Sequence, residues 1–236
     1  MAPPSDTQRA VSQADIASMA ARSREPVRYL VFSASLRKAS LNTQLAALAA
    51  EVIEKHGGQV DRASMSDFDV PSYNQDEQDD EEQGFPPGAD EFHRRLLTND
   101  AFVISSPEYN ASMPGQLKNV IDWVSRFRPQ PFNERHCLLL SASPSMVGGN
   151  RGLWALRVPL EHLGARVFPD MFSLAQANKM LDDEGRIPSP QLTERFDRTI
   201  AAFMDLVEAA RNYPCAKKAW FEFLGEQPDS ETARAE

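Results

Sequence analysis

The sequence predicts a doubly wound α/β domain, on three observations. Short β-branched and aromatic runs alternate with amphipathic helical stretches in the order β-α-β-α-β-α-β-α-β-α. No internal repeat interrupts that order. Three polar loops follow the first, third and fourth strands. Alternation of this kind needs a parallel sheet with helices on both faces, joined by right-handed crossovers. At 236 residues the chain is long enough for one sizeable domain.

Residues 1–26 are polar and rich in Ala and Ser, and read as an extension that ends at Pro26. The domain spans 27–212. Residues 27–33 form the first strand, buried and rich in Val, Leu and aromatic residues. The polar turn 34–40 opens a helix whose apolar face carries Leu41, Leu45, Leu48 and Val52, stopped by Gly57-Gly58. Residues 59–64 form the second strand. Residues 74–90 read as a loop holding Asp76, Glu77, Asp79, Asp80, Glu81 and Glu82, then Pro86-Pro87-Gly88. A solvated loop is the simpler account of that acidic run, and a lid or subunit contact is the other.

A helix over 90–98 leads to the strand 101–105. The next helix opens near Pro114, a residue suited to a first helical turn, with Leu117, Val120, Ile121 and Val124 as its stripe. Residues 137–142 form the fourth strand. A helix follows with Leu153, Leu156 and Leu160, its pattern interrupted by Pro159. Residues 165–172 read as the last strand and 191–212 as the final helix, closed by Pro214. Residues 213–236 are a mostly polar tail, apart from the aromatic cluster 219–224, which is expected to pack on the body or on a partner subunit.

The formal charge of −9 argues against a broad nucleic-acid surface, which needs a basic face. The N-terminus lacks the apolar core of a signal peptide, and no apolar run approaches the roughly 20 residues of a membrane span. Two cysteines, Cys137 and Cys215, are too few for a disulfide scaffold, so a reducing compartment is the default. A soluble, cytoplasmic protein is expected. His136 and Cys137 are adjacent on a strand and face opposite ways, a poor chelate, so no metal site is expected.

In a doubly wound sheet, ligands bind outside the carboxyl ends of the strands where the order reverses. With strand order 2-1-3-4-5 the three polar loops meet in one crevice. The first opens a helix and holds Ser35, Arg37, Ser40 and Asn42. Helix N-termini and an Arg fork suit phosphate, while a plain N-cap is the simpler reading of Ser40 or Asn42. No G-x-G-x-x-G or Walker pattern occurs there. The second loop holds Pro107, Glu108, Tyr109 and Asn110, with a flat ring and polar groups fit for a planar heterocycle, though read alone a plain turn is the simpler account. The third holds Ser143, Pro144, Gly148 and Gly149, and glycines either let backbone approach a ligand or serve simply as turns.

These loops, with the run Pro114-Gly115-Gln116-Leu117-Lys118-Asn119-Val120-Ile121-Asp122-Trp123, resemble the NAD(P)H-dependent FMN reductase family, which includes quinone, azo-dye and chromate reductases. The resemblance covers about 27–212 and implies a flavodoxin-like fold. It implies that the phosphate of FMN lies on Ser35, Arg37, Ser40 and Asn42. The isoalloxazine would lie against Pro107, Glu108, Tyr109 and Asn110, closed by Ser143, Gly148 and Gly149. The family's usual Gly before the first Ser is Ala34 here, and a Gly common after the third loop's Ser-Pro is Ser145. A homodimer or homotetramer is implied too.

The function implied is hydride transfer from NADPH or NADH through bound FMN to a small acceptor: a quinone, azo compound, flavin or oxidised metal. The cofactor carries such chemistry, so no catalytic side chain is named. Arg126 or Arg128 is a candidate for a 2′-phosphate of NADPH, with a solvent-facing helix-end Arg as the simpler reading. The alternatives are an electron carrier without its own nicotinamide reaction and a flavin-free scaffold.

Overall fold

A computed structural model describes residues 26–78 and 84–212. The extension before Pro26, the tail with its aromatic cluster and Cys215, and residues 79–83 of the acidic loop lie outside the described residues. Five positions of parallel strands run in the order β2-β1-β3-β4-β5, with a sixth short strand also on β4. The strands are β1 (Arg28–Ser33), β2 (Gln59–Ser64), β3 (Ala101–Ser105), β4 (His136–Ala142), β5 (Arg166–Val167) and β6 (Phe172–Leu174). All pairings are parallel.

The helices are α1 (Leu41–Lys55), α2 (Gln75–Gln78), α3 (Pro87–Thr98), α4 (Gly115–Val124), α5 (Asn150–His162), α6 (Ala177–Met180) and α7 (Pro190–Asn212), with one 3-10 turn at Met65–Phe68. Alternate residues of each central strand face opposite layers. Leu30, Phe32, Phe102 and Ile104 join α3, α4 and α5 in one core. Tyr29, Val31, Val103 and Leu138 join α1 and α7 in the other. Phe32, Phe68 and Phe92 pack with ring centroids 4.6–5.6 Å apart, in contacts that add to their burial energy.

Two expectations are corrected. The last strand is not continuous over 165–172: β5 pairs with His136 and Cys137, Phe168 N still donates to Cys137 O at 2.8 Å, residues 169–171 leave the ladder, and β6 pairs with Leu140, Ser141 and Ala142. Pro169 follows on this edge strand at a position whose N–H would face away from β4, where a proline is tolerated. The region 74–90 is not wholly loop. It holds α2, and α3 begins at Pro87, whose missing N–H costs nothing in a first turn. The helix α5 runs on through Pro159.

Candidate functional site

Three neighbouring strands end together. Ala34 N donates to Ser105 O at 2.9 Å, and Ser106 N donates to Leu140 O at 2.8 Å, so the exits of β1, β3 and β4 are tied side by side. A buried amide completes the tie. Asn42 is 4% exposed. Its Oδ1 accepts from Ser105 Oγ at 3.1 Å and from Ala142 N at 2.9 Å, and its Nδ2 donates to Ala142 O at 2.9 Å. Ser141 Oγ, also buried, donates to Ser106 O at 2.7 Å. Buried polar groups need partners, and here they find one another across strand ends. Asn42, a residue expected at the phosphate, joins the exits of β3 and β4 through its side chain. An amide in a polar turn looks the same in sequence whether it faces ligand or protein.

The first loop is built from stacked hydroxyl turns. Ser33 Oγ accepts from Ser35 N, Ser35 Oγ accepts from Arg37 N, both at 3.3 Å, and Ser40 caps α1 by accepting from Asn42 N and Thr43 N. Arg37 is exposed and donates from Nε and Nη2 to Ala39 O at 3.2 and 2.6 Å, which holds its guanidinium over the loop. No acidic residue lies in the first turn of α1, so the positive end of its dipole is not neutralised from within. Ala34, where a Gly is usual, keeps an ordinary negative φ and is fully buried in the core. Its methyl therefore packs inward, and Gln116 Nε2 reaches its carbonyl at 3.3 Å.

The second loop is a tight turn. Tyr109 and Ser112 exchange backbone hydrogen bonds of 2.9 and 3.0 Å. Asn110 and Ala111 between them have φ of 52° and 62°, the left-handed pair that a two-residue type I′ turn needs. Tyr109 is half exposed. Glu108 was expected against a heterocycle, yet its carboxylate is taken up by α5: Oε2 accepts from Arg151 N at 3.1 Å and Gly152 N at 3.3 Å, and Oε1 accepts from Arg151 Nε and Nη2 at 2.9 and 2.5 Å. Spacing alone could not have paired positions 43 residues apart.

The third loop leans on β6. Ser143 N donates to Leu174 O at 3.1 Å and Gln176 N to Ser145 O at 3.0 Å, while Ser145 N donates to Ser143 Oγ at 3.2 Å. Gly148 and Gly149 have φ of 65° and 86°. A Cβ on Gly149 would lie 2.0 Å from Ser141 Oγ. The glycine pair is thus explained by close backbone packing before any ligand is considered. Met146 and Val147 stand exposed on this loop.

Other residues of the Pro114–Trp123 run work behind the crevice. Asn119 accepts from Tyr73 N at 2.8 Å and donates to Pro71 O at 2.8 Å, and Trp123 Nε1 donates to the same carbonyl at 2.9 Å. They strap residues 70–73 to α4. Arg126 stacks on Tyr73 at 5.0 Å, and Arg128 Nη1 donates to the carbonyls of Ser125 and Phe127 at 3.0 Å. Both lie past the C-terminal end of α4, away from Pro114. Phe85 stacks on Phe127 at 3.9 Å there as well, so the chain just after the acidic run packs beside the C-terminal end of α4.

Comparison with known proteins gives this arrangement a family. The model of the family described as NADPH-dependent FMN reductase matches residues 27–179. The chain belongs to the NADPH-dependent FMN reductase family. An NAD(P)H-dependent FMN reductase of Pseudomonas aeruginosa is 31% identical to it over 189 residues, 79% of this chain and 98% of the relative. A quinone reductase of Escherichia coli K12 is 30% identical over the same length and the same shares. Among solved structures, the flavoenzyme NAD(P)H:(acceptor) oxidoreductase FerB of Paracoccus denitrificans superposes with a TM-score of 0.65 at 25% identity, over 77% of this chain and 97% of that one. The fold of this FMN reductase family member is thus flavodoxin-like, as the loops implied. Among its described residues no helix is long and apolar enough to cross a membrane.

Proposed function

We propose that the chain is an FMN-bearing oxidoreductase that takes hydride from NADPH or NADH and reduces a small acceptor of the quinone class. The observation that carries this reading is the meeting of three loops at the adjoining ends of β1, β3 and β4 in a chain of this family. The residues fit FMN. The first loop offers hydroxyls, a guanidinium and a helix N-terminus with no carboxylate in its first turn, a donor set for a phosphate dianion. The second offers an exposed Tyr ring and the backbone of a rigid turn, suited to a flat heterocycle with polar edges.

FMN, when bound, supplies the two-electron carrier between nicotinamide and acceptor. The chain's own part is to hold and orient. Ser35, Arg37 and Ser40 hold the phosphate end. The turn at Tyr109 and Asn110 supports the ring, and Ser143, Gly148 and Gly149 border it. Asn42 keeps the three loops in register from beneath. Met146 and Val147 give the mouth an apolar lip that favours planar, weakly charged acceptors.

The site is assigned to 27–212, with the extension and tail outside it. A homodimer or homotetramer is proposed, supported by the apolar Trp154 and Val158 exposed on α5; light scattering reads it directly. A cytoplasmic location fits a two-cysteine chain.

The test is the visible spectrum of the purified protein, followed by anaerobic NADPH or NADH. Yellow protein that bleaches within seconds supports the reductase and reports its donor. Yellow protein that stays oxidised assigns an electron carrier instead. Colourless protein that takes up no FMN removes the reading.

A further inference from the structure

Helix α5 lacks a cap of its own. Its N-cap is Gly149, with no side chain to receive the first N–H groups, and uncapped donors at a helix start are costly to leave unpaired. The cap comes from another loop. Glu108 is 8% exposed at its side chain and accepts four hydrogen bonds: two from the backbone of Arg151 and Gly152, two from the guanidinium of Arg151. Charge-assisted, forked bonds of this kind are the strong ones.

The surfaces on both sides are shaped for this contact. A Cβ on Gly152 would come to 3.1 Å from Glu108 Cα, Glu108 Cβ and Ser112 O. The absence of a side chain at Gly152 lets the second loop lie close to α5 without a shift of a few tenths of an ångström. The loop also holds two non-glycine residues in left-handed conformations. Such backbone persists only where its surroundings over-determine it.

We propose that Glu108 and Arg151 form a clasp that locks the Tyr109–Ser112 turn onto the first turn of α5, making Glu108 a positioning residue for the flavin ring rather than a ligand of it. This rests on the flavin reading above. The carboxylate has no capacity left for a ring, and the α5 N-terminus, already neutralised, holds no phosphate. The groups that meet the ring are those the clasp places: the Tyr109 side chain and the backbone of the turn.

A double-mutant cycle with Glu108→Gln and Arg151→Met, read as the dissociation constant for FMN and for riboflavin by fluorescence quenching, tests this. Each single variant is expected to weaken both ligands about tenfold, and the double variant no more than either single, as for residues acting as one unit. Riboflavin weakens equally because the clasp acts on the ring end. The visible band of the bound flavin also changes shape, which a loss of stability alone leaves unaltered in the bound fraction. Should Arg151→Met fold poorly, Arg151→Lys replaces it in the cycle. Single variants that bind both ligands within about twofold of wild type, or a double variant whose losses multiply to about a hundredfold, overturn the clasp. A wild-type chain that binds no flavin overturns the flavin reading, and the clasp's role with it.

Discussion

Gly88 shows how one missing side chain can decide a local path. It sits in the first turn of α3, buried, and a Cβ there would fall 2.2 Å from Asp69 O and 2.8 Å from Asp69 N. Those are backbone atoms, so the chain after β2 would have to move. Gly115, in the first turn of α4, has nothing within 4 Å of the same position. Gly88→Ala is expected to cost about 2–3 kcal/mol. Gly115→Ala should be neutral or stabilising by up to about 1 kcal/mol, because it only narrows the unfolded ensemble. Urea midpoints at constant slope read both; equal losses at the two positions would remove the steric account. The same scale shows what a residue name hides. Ser35, Arg37 and Ser40 occupy the loop the sequence assigned to them, and Tyr109 and Asn110 form the turn. Asn42, in the first turn of α1, and Glu108, in the second loop, turn their side chains to the protein's own framework. Side-chain direction depends on partners 100 and 43 positions away, which no local pattern carries.

At the scale of the element, the strands and long helices were legible because burial imposes a period of two or 3.6 on their apolar residues. The split of the last strand was not, since an apolar run looks the same whether the chain stays on β4 throughout or leaves it after Phe168 and returns at Phe172. Nor was the start of α3, where two prolines resemble a loop. Strand β4 also carries a titrating group into the sheet. His136 opens it, 7% exposed, with neither ring nitrogen hydrogen-bonded. Desolvation lowers its pKa below the ordinary 6.5, and Arg166 opposite it on β5 lowers it further. A depressed folded-state pKa means the unfolded chain binds the proton first. Stability is therefore full above pH 6.5, and is lost as pH falls below it, until the folded-state value is passed. The slope in that window is at most about 1.4 kcal/mol per pH unit from this residue. His93, stacked on Phe127 at 4.0 Å, shifts the same way by burial. Urea melts between pH 7 and pH 5 should show the loss in wild type and a shallower one in His136→Leu. An identical pH slope in the two proteins would acquit His136.

For the whole molecule, the crevice is a property of the sheet. Three loops converge because β1, β3 and β4 are neighbours, so a ligand that bridges them stabilises the folded state as a unit. A ligand that binds only the native chain adds RT ln(1 + [L]/Kd), about 2.7 kcal/mol at a hundredfold excess over Kd. For a chain of this size that is roughly 5–10 °C in Tm. FMN and riboflavin share the ring and differ in the phosphate. At one concentration, FMN should therefore raise Tm clearly more than riboflavin does, the difference tracing to charge-assisted bonds of about 1.5–3 kcal/mol. Arg37→Ala should lower the FMN shift toward that of riboflavin while leaving the riboflavin shift in place, because Arg37 belongs to the first loop alone. The clasp variants should lower both shifts. Three loops with separable tasks give that pattern, whereas a crevice that recognised the flavin as one undivided surface would lose both ligands in parallel whichever loop was altered.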